Sequence, residues 1–274
     1  MARGLDHLVV AVNDLEAAGS AWEALGFTVT SENRHPWGTV NRIIQLDGFF
    51  VELLGIADQT LIEEPVEGAF SFGAFNRDFL TSRQGASMLV VESSDPAGDQ
   101  AAYKELGLDT YLPFSFERIA TFKDGSTGKV AFDLTFLTDA LLPGLAFFSC
   151  LNRYPETFWN KEFQVHANGA SAIKAVYLVA KDPSDHHEFL GGLTGQREMR
   201  ATSFGLELET PRGLVRVLNP DTYRFSVGDA ASSSLDHALP QIAAIELTCT
   251  GLEARKVIPA NELFGLTLIL SPAS

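Results

Sequence analysis

A chain of 274 residues, 46% hydrophobic and 20% charged, carries enough apolar surface for one large domain or two small ones, and its composition is not that of a disordered chain. Its formal net charge of −15 repels phosphate backbones and anionic lipid, so nucleic acid and membranes are not expected partners. No apolar run reaches the roughly eighteen residues of a membrane span, no secretory leader pattern is visible, and Cys150 and Cys249 each lie in an apolar run, so a soluble cytoplasmic protein with buried free thiols is expected.

In chain order, LDHLVVAV alternates as a strand does. Asn13 or Asp14 then caps a helix in which Leu15, Ala18, Trp22 and Leu25 recur at helical spacing, and Gly26 reads as its left-handed C′ residue. Strands are predicted at 27–31, 39–46 and 49–56, the last two joined by an Asp47-Gly48 turn. The unit is therefore βαβββ. The same strand-then-helix pattern recurs from Met88, from Ala175 and, in shorter form, from Ala244. Hairpins are predicted at 123–138, around Asp124-Gly125 and Gly128, and at 203–218, around Arg212-Gly213; strands at 255–258 and 266–270 complete the last copy.

A curled βαβββ sheet has one face to cover, and two such units cover each other. The expected fold class is α+β, with repeated βαβββ units paired into curled half-open barrels. Residues 1–150 form a first half of two units, 151–164 an aromatic linker, and 165–274 a second half made of the third unit and a truncated fourth. The connecting run AFFSCLNRYPETFWNKEFQ reads as loop-like, packed over a barrel mouth, with Phe147, Phe148, Tyr154, Phe158 and Trp159 placed to exclude water.

The segments LDHLVVAVNDLEAA, HPWGTVNRIIQLDGFFVELL and VHANGASAIKAVYLVAKDP resemble the glyoxalase-like branch of the vicinal-oxygen-chelate superfamily, the glyoxalase, bleomycin-resistance and dioxygenase type. The resemblance implies a lyase, isomerase or dioxygenase acting on a small oxygen-rich molecule. It equally admits a non-catalytic protein that binds or sequesters a small molecule. Metal-dependent members carry ligands at two strand positions, which here are His7 and Glu52, so the resemblance implies a possible divalent metal: zinc, iron, manganese or nickel. The position matching His7 holds Met88, Ala175 and Ala244 in the other copies; that matching Glu52 holds Phe132 or Asp133, then Arg216 or Val217. A ligand pair from each of two units is therefore not present.

Glu52 and His166 are the catalytic candidates, and His7, Glu52 and His166 the candidate metal ligands. An inward His7 bonded to an inward Glu52 without a metal is the competing reading. His166 is either a third ligand or general base folded back toward the first half, or a loop histidine at the Asn168-Gly169 turn. His35, Trp37, Thr39 and Asn41 are the candidate substrate contacts: Thr39, Asn41, Ile43 and Gln45 share one strand face, which orients a substrate if concave and meets solvent if convex, and Gly38 suggests close backbone approach. His186 and His187 read as solvated helix surface and His237 as an exposed loop residue. No Gly-x-Ser-x-Gly elbow or phosphate-cradling glycine loop occurs. The site is expected in the first half, where an imidazole and a carboxylate occupy the two marker positions, and the expected partner is a small-molecule substrate or ligand.

Overall fold

The computed structural model of the chain describes residues 1–121, 127–232, 235 and 240–273; the Asp124-Gly125 turn and His237 lie outside them. Sixteen strands join in one curled sheet that does not close into a barrel. The first unit is β1 (Leu5–Ala11), α1 (Leu15–Ala24), β2 (Asn33–Arg34), β3 (Thr39–Gln45) and β4 (Phe50–Ile56). After an inserted α2 (Phe72–Ser82) comes the second: β5 (Gly85–Glu92), α3 (Pro96–Glu105), β6 (Asp109–Thr110), β7 (Phe114–Thr121), β8 (Thr127–Thr138) and β9 (Ala146–Asn152). A short α4 (Pro155–Phe158) leads to the third unit, β10 (Ala170–Val179), α5 (His187–Thr194), β11 (Met199–Thr202), β12 (Gly205–Glu209) and β13 (Leu214–Leu218). Helices α6 (Pro220–Val227) and α7 (Asp229–Ser232) precede the last unit, β14 (Gln241–Cys249), β15 (Lys256–Ile258) and β16 (Thr267–Pro272).

The repeat is visible in the register. The opening strand of each unit pairs in parallel with its closing strand, as His7↔Phe50, Met88↔Ala146, Ala175↔Leu214 and Ala244↔Thr267. Opening strands then pair antiparallel, β1 with β5 and β10 with β14, so that two units curl around each shared concavity. A single pairing, Ile242↔Ala86, carries the sheet from one curl to the other.

Local chemistry explains the first unit. Asp14 caps α1 by accepting from the Ala17 N–H at 2.9 Å, and the buried stripe is Leu15, Ala18, Gly19 and Trp22. Gly26 has φ +88°, where a β-carbon would be strained. Residues 27–31 are not a strand, contrary to the expectation from sequence; their hydrogen bonds go elsewhere. Thr28 donates its N–H to His166 and its hydroxyl to the Val165 carbonyl, while Thr30 exchanges bonds with Ile43. The run from 146 also departs from expectation. Its first seven residues are β9, buried between β5 and β8, and the connection to the third unit begins only after Asn152.

The largest core lies outside both concavities, where α1, α3 and α5 cover the outer sheet faces. Arg3 ties these layers together: it pairs with Asp99 at 2.6 Å, lies over the Tyr103 ring and donates to the Leu193 carbonyl. Both cysteines are free and buried. No helix among the described residues is long and apolar enough to cross a membrane.

Trp22 is 1% exposed and meets the Phe27 ring at 4.9 Å. Trp22→Ala should cost about 3–5 kcal/mol, because a void that size cannot collapse between a helix and a sheet. Urea unfolding measures this, and a loss below ~1 kcal/mol would show that the α1 seam is not part of the core.

Candidate active site

Alternation along the strands decides what faces the first concavity. His7 enters from β1, Phe50 and Glu52 from β4, Asn41 and Ile43 from β3, Phe114, Phe116 and Arg118 from β7, Phe132 and Leu134 from β8, and Phe148 and Cys150 from β9; His35, Trp37, Phe72 and Phe158 close the sides. The cavity measures about 60 Å³. On that scale it holds roughly four or five waters, or a molecule of similar size.

His7 owes its setting to a β-bulge. Between Leu5↔Val91 and His7↔Val90, β1 advances two residues while β5 advances one, leaving Asp6 as the extra residue. The Asp6 carboxylate then reaches the neighbouring ring, with Oδ2 2.5 Å from His7 Nδ1. A proton on Nδ1 donated to Asp6 leaves Nε2 as the ring's free lone pair. The imidazole is 4% exposed, stacks on Phe50 at 4.2 Å and meets the edge of Phe148 at 5.2 Å.

Glu52 is 7% exposed, and the only donor to it among the described residues is Asn41 Nδ2, at 2.6 Å from Oε1. The same amide nitrogen lies 3.3 Å from His35 Nε2, and His35 Nδ1 lies 2.7 Å from Thr39 Oγ1. Burial lowers the pKa of His35, which Glu52 raises and Arg118 lowers again. A neutral His35 that accepts from Asn41 and donates to Thr39 satisfies both of its ring nitrogens. Asn41 Oδ1 is then left buried without a partner among the described residues, as is Trp37 Nε1. Trp37 stacks on His35 at 4.7 Å. Burial pushes the Cys150 thiol well up, and Asp6, Glu52 and Asp133 add to the effect, so it lines the wall as a neutral group.

Of the expected contacts, His35, Trp37 and Asn41 line the cavity, and Thr39 acts on it by holding His35. The face carrying Thr39 to Gln45 is the concave one. Gln45 sits at its end and anchors the connection, donating to the Phe158 carbonyl and accepting from the Asn160 N–H. Gly38 has φ +84°, and a β-carbon there would come within 2.2 Å of the Asp58 carbonyl, so the close approach is real. Among the five aromatics assigned to closing the mouth, Phe148 and Phe158 line the cavity; Phe147 faces the outer core against Phe189, Trp159 stands behind Phe50, and Tyr154 lies under Lys129.

His7 and Glu52 share the cavity, but His166 does not line it. Its Nδ1 accepts from the Thr28 N–H at 3.0 Å, and its Nε2 lies 2.8 Å from the Gln45 carbonyl. Both nitrogens are spent on backbone groups, so neither is left for a metal or a substrate proton. The register also corrects the partner of Glu52 in the second unit. It is Phe148 on β9, not Phe132 or Asp133 on β8; in the third unit it is Arg216. A divalent ion at His7 and Glu52 would therefore face Met88 and Phe148 across the concavity, and no group of three or more His, Cys, Asp or Glu suited to a metal exists among the described residues. The donor set does not fit such an ion. His186 is not solvated either: it is 3% exposed, with Nδ1 unpartnered among the described residues, whereas His187 is exposed.

Residues 5–194 match the model of a family described as glyoxalase-like domain. No curated protein matches the chain. Among solved structures, a hypothetical protein from Staphylococcus aureus is similar at 13% identity with a TM-score of 0.76, covering 99% of this chain and 100% of its own. A xylose isomerase-like TIM barrel/4-hydroxyphenylpyruvate dioxygenase fusion protein is similar at 13% identity with a TM-score of 0.51, over 92% of this chain and 37% of its own. At these identities the likeness is one of fold.

The histidines set a pH dependence. Burial lowers the pKa of His35, His166 and His186 below the ordinary 6.5. The unfolded chain therefore binds more protons than the folded one as pH drops past about 6.5, so this share of stability is full above that pH and is lost below it. His166→Gln should weaken the slope of unfolding free energy against pH below about 6.5 by one histidine's share. It should leave ligand binding in the cavity unchanged. An unaltered slope, or lost binding with the fold intact, would contradict the structural role of His166.

Proposed function

The chain belongs to the glyoxalase-like domain family of the vicinal-oxygen-chelate superfamily, and from that membership we propose that it is an enzyme that moves protons on a small oxygen-bearing molecule held in the first concavity, without a metal ion. The observation that carries this reading is Glu52: a buried carboxylate inside an aromatic cavity, with one oxygen held by Asn41 and a histidine–carboxylate pair, His7–Asp6, in the same wall.

Each group has a task in such a reaction. The Asn41 amide, oriented by His35, fixes the Glu52 carboxylate and leaves Oε2 to take a proton from a carbon beside a carbonyl. His7, with Nδ1 committed to Asp6, presents the Nε2 lone pair to the substrate. Glu52 takes a proton from carbon and, as the acid so formed, returns it to the adjacent carbon, while His7 Nε2 takes the hydroxyl proton and returns it to the neighbouring oxygen, which isomerises the substrate. The walls of Phe50, Phe116, Phe132 and Phe148 keep water out, which strengthens these polar contacts. Of the activities the family admits, oxygen chemistry at iron is the one the donor set supports least.

The test is hydrogen exchange in D2O, followed by NMR on a panel of hydroxy ketones, 2-oxo acids and their amides. The wild type should exchange or isomerise at least one compound. Glu52→Gln should bind that compound with similar affinity while its rate falls roughly 10²–10⁴-fold. A compound that binds and is returned unchanged would make the protein a sequestering one. A rate that appears only on adding zinc, iron, manganese or nickel would overturn the metal-free reading.

A further inference from the structure

Arg118 is a charged cavity residue that these roles do not use. It follows Phe114 and Phe116 on the inward face of β7. Its one hydrogen bond among the described residues goes to Asn33 Oδ1, at 3.3 Å, and it makes no ion pair with any of them. Other arginines with much of their side chain covered do have acids: Arg3 with Asp99 at 2.6 Å, Arg42 with Glu23 at 2.6 Å, Arg216 with Glu207 at 2.9 Å. Burial of Arg118 disfavours its charged form, and no acid among the described residues offsets that cost. In a chain with a net charge of −15, an inward-facing cation without an acidic partner among the described residues is a specific feature.

We propose that Arg118 holds the carboxylate of the molecule bound in this cavity, and that the site takes flat, single-ring carboxylic acids in preference to their neutral counterparts. This deepens the reading of the same site given above and rests on its cavity. A guanidinium is planar and matches a carboxylate with two parallel N–H bonds. A flat ring fits because the flanking wall is Phe114, Phe116 and Trp37, and because a cavity of about 60 Å³ leaves room for little more. A second observation points to the same occupant. Asn41, 5% exposed in the same wall, has its Oδ1 without a donor among the described residues, and an O–H or N–H on the bound molecule would satisfy it. The acid end of the ligand thus lies at β7 and its hydroxyl or amine end at β3, beside Glu52.

Benzoate and benzamide are the probes, being isosteric and differing in charge. By calorimetry the wild type should bind benzoate at least tenfold more tightly than benzamide. Arg118→Met should abolish that preference while leaving benzamide affinity within about twofold, and Arg118→Lys should restore part of it. Thermal melting verifies that each variant is folded. Glu52→Gln should keep the preference, which separates the two ideas: proton transfer can fail with anion recognition intact. Equal binding of the two probes by the wild type, binding of neither, or a preference that survives Arg118→Met overturns the proposal.

Discussion

A curled sheet has an inner face, and the polar groups on it must be matched by one another or by something that enters. The curl built on β10 and β14 meets this constraint internally. Glu246 accepts from Tyr177, Ser271 and Lys174, and Arg216 reaches both Tyr177 and Glu246. Burial alone would raise the Glu246 carboxyl, but the bonds from Lys174, Ser271 and Tyr177 outweigh it and bring the pKa down to about 2. The curl built on β1 and β5 does not match its groups in this way. Glu52, His7 and Arg118 stand in its wall without pairing with one another. Arg216 occupies the position in the third unit that Glu52 occupies in the first, so one scaffold position carries opposite charges, closing one concavity and leaving the other receptive.

The βαβββ repeat was legible because its signals are local: alternation in a strand, an Asp cap, a stripe at helical spacing and a glycine stop. His7 and Glu52 were legible through the family resemblance, since a period of two says which residues share a strand face and not which of them carry chemistry. The second unit was harder. Strand β9 is apolar on both faces, as a strand covered on both sides must be, and so reads like any buried run. Counting β8 as the unit's last strand then placed the Glu52 equivalent at Phe132 or Asp133 instead of Phe148. Helix α2 carries its Phe72 into the cavity and was not anticipated at all.

What could not be read was set by partners distant in sequence. His166 lost its chemical role to Thr28, 138 residues away, and to the Gln45 carbonyl. The Asp6–His7 pair depends on a bulge, which is a property of register between two strands and leaves no mark on either one. Arg118 did leave a mark: Phe114, Phe116 and Arg118 alternate, and a cation ending an aromatic inward face is a signal that period-two reading can find.

The central claim is that a ligand enters the first concavity and meets its unmatched polar groups. Trp37 Nε1–H, buried there without a partner among the described residues, reports on this directly. The measurement is a ¹⁵N-edited NMR titration of the tryptophan indole N–H signals with benzoate, with Trp37 assigned by Trp37→Phe. The account requires the Trp37 signal to move with saturation while that of Trp22, buried in the outer core against Phe27, stays fixed. A Trp37 signal that does not move while amide shifts gather around Glu246 and Tyr177 would place the site in the other curl and contradict it.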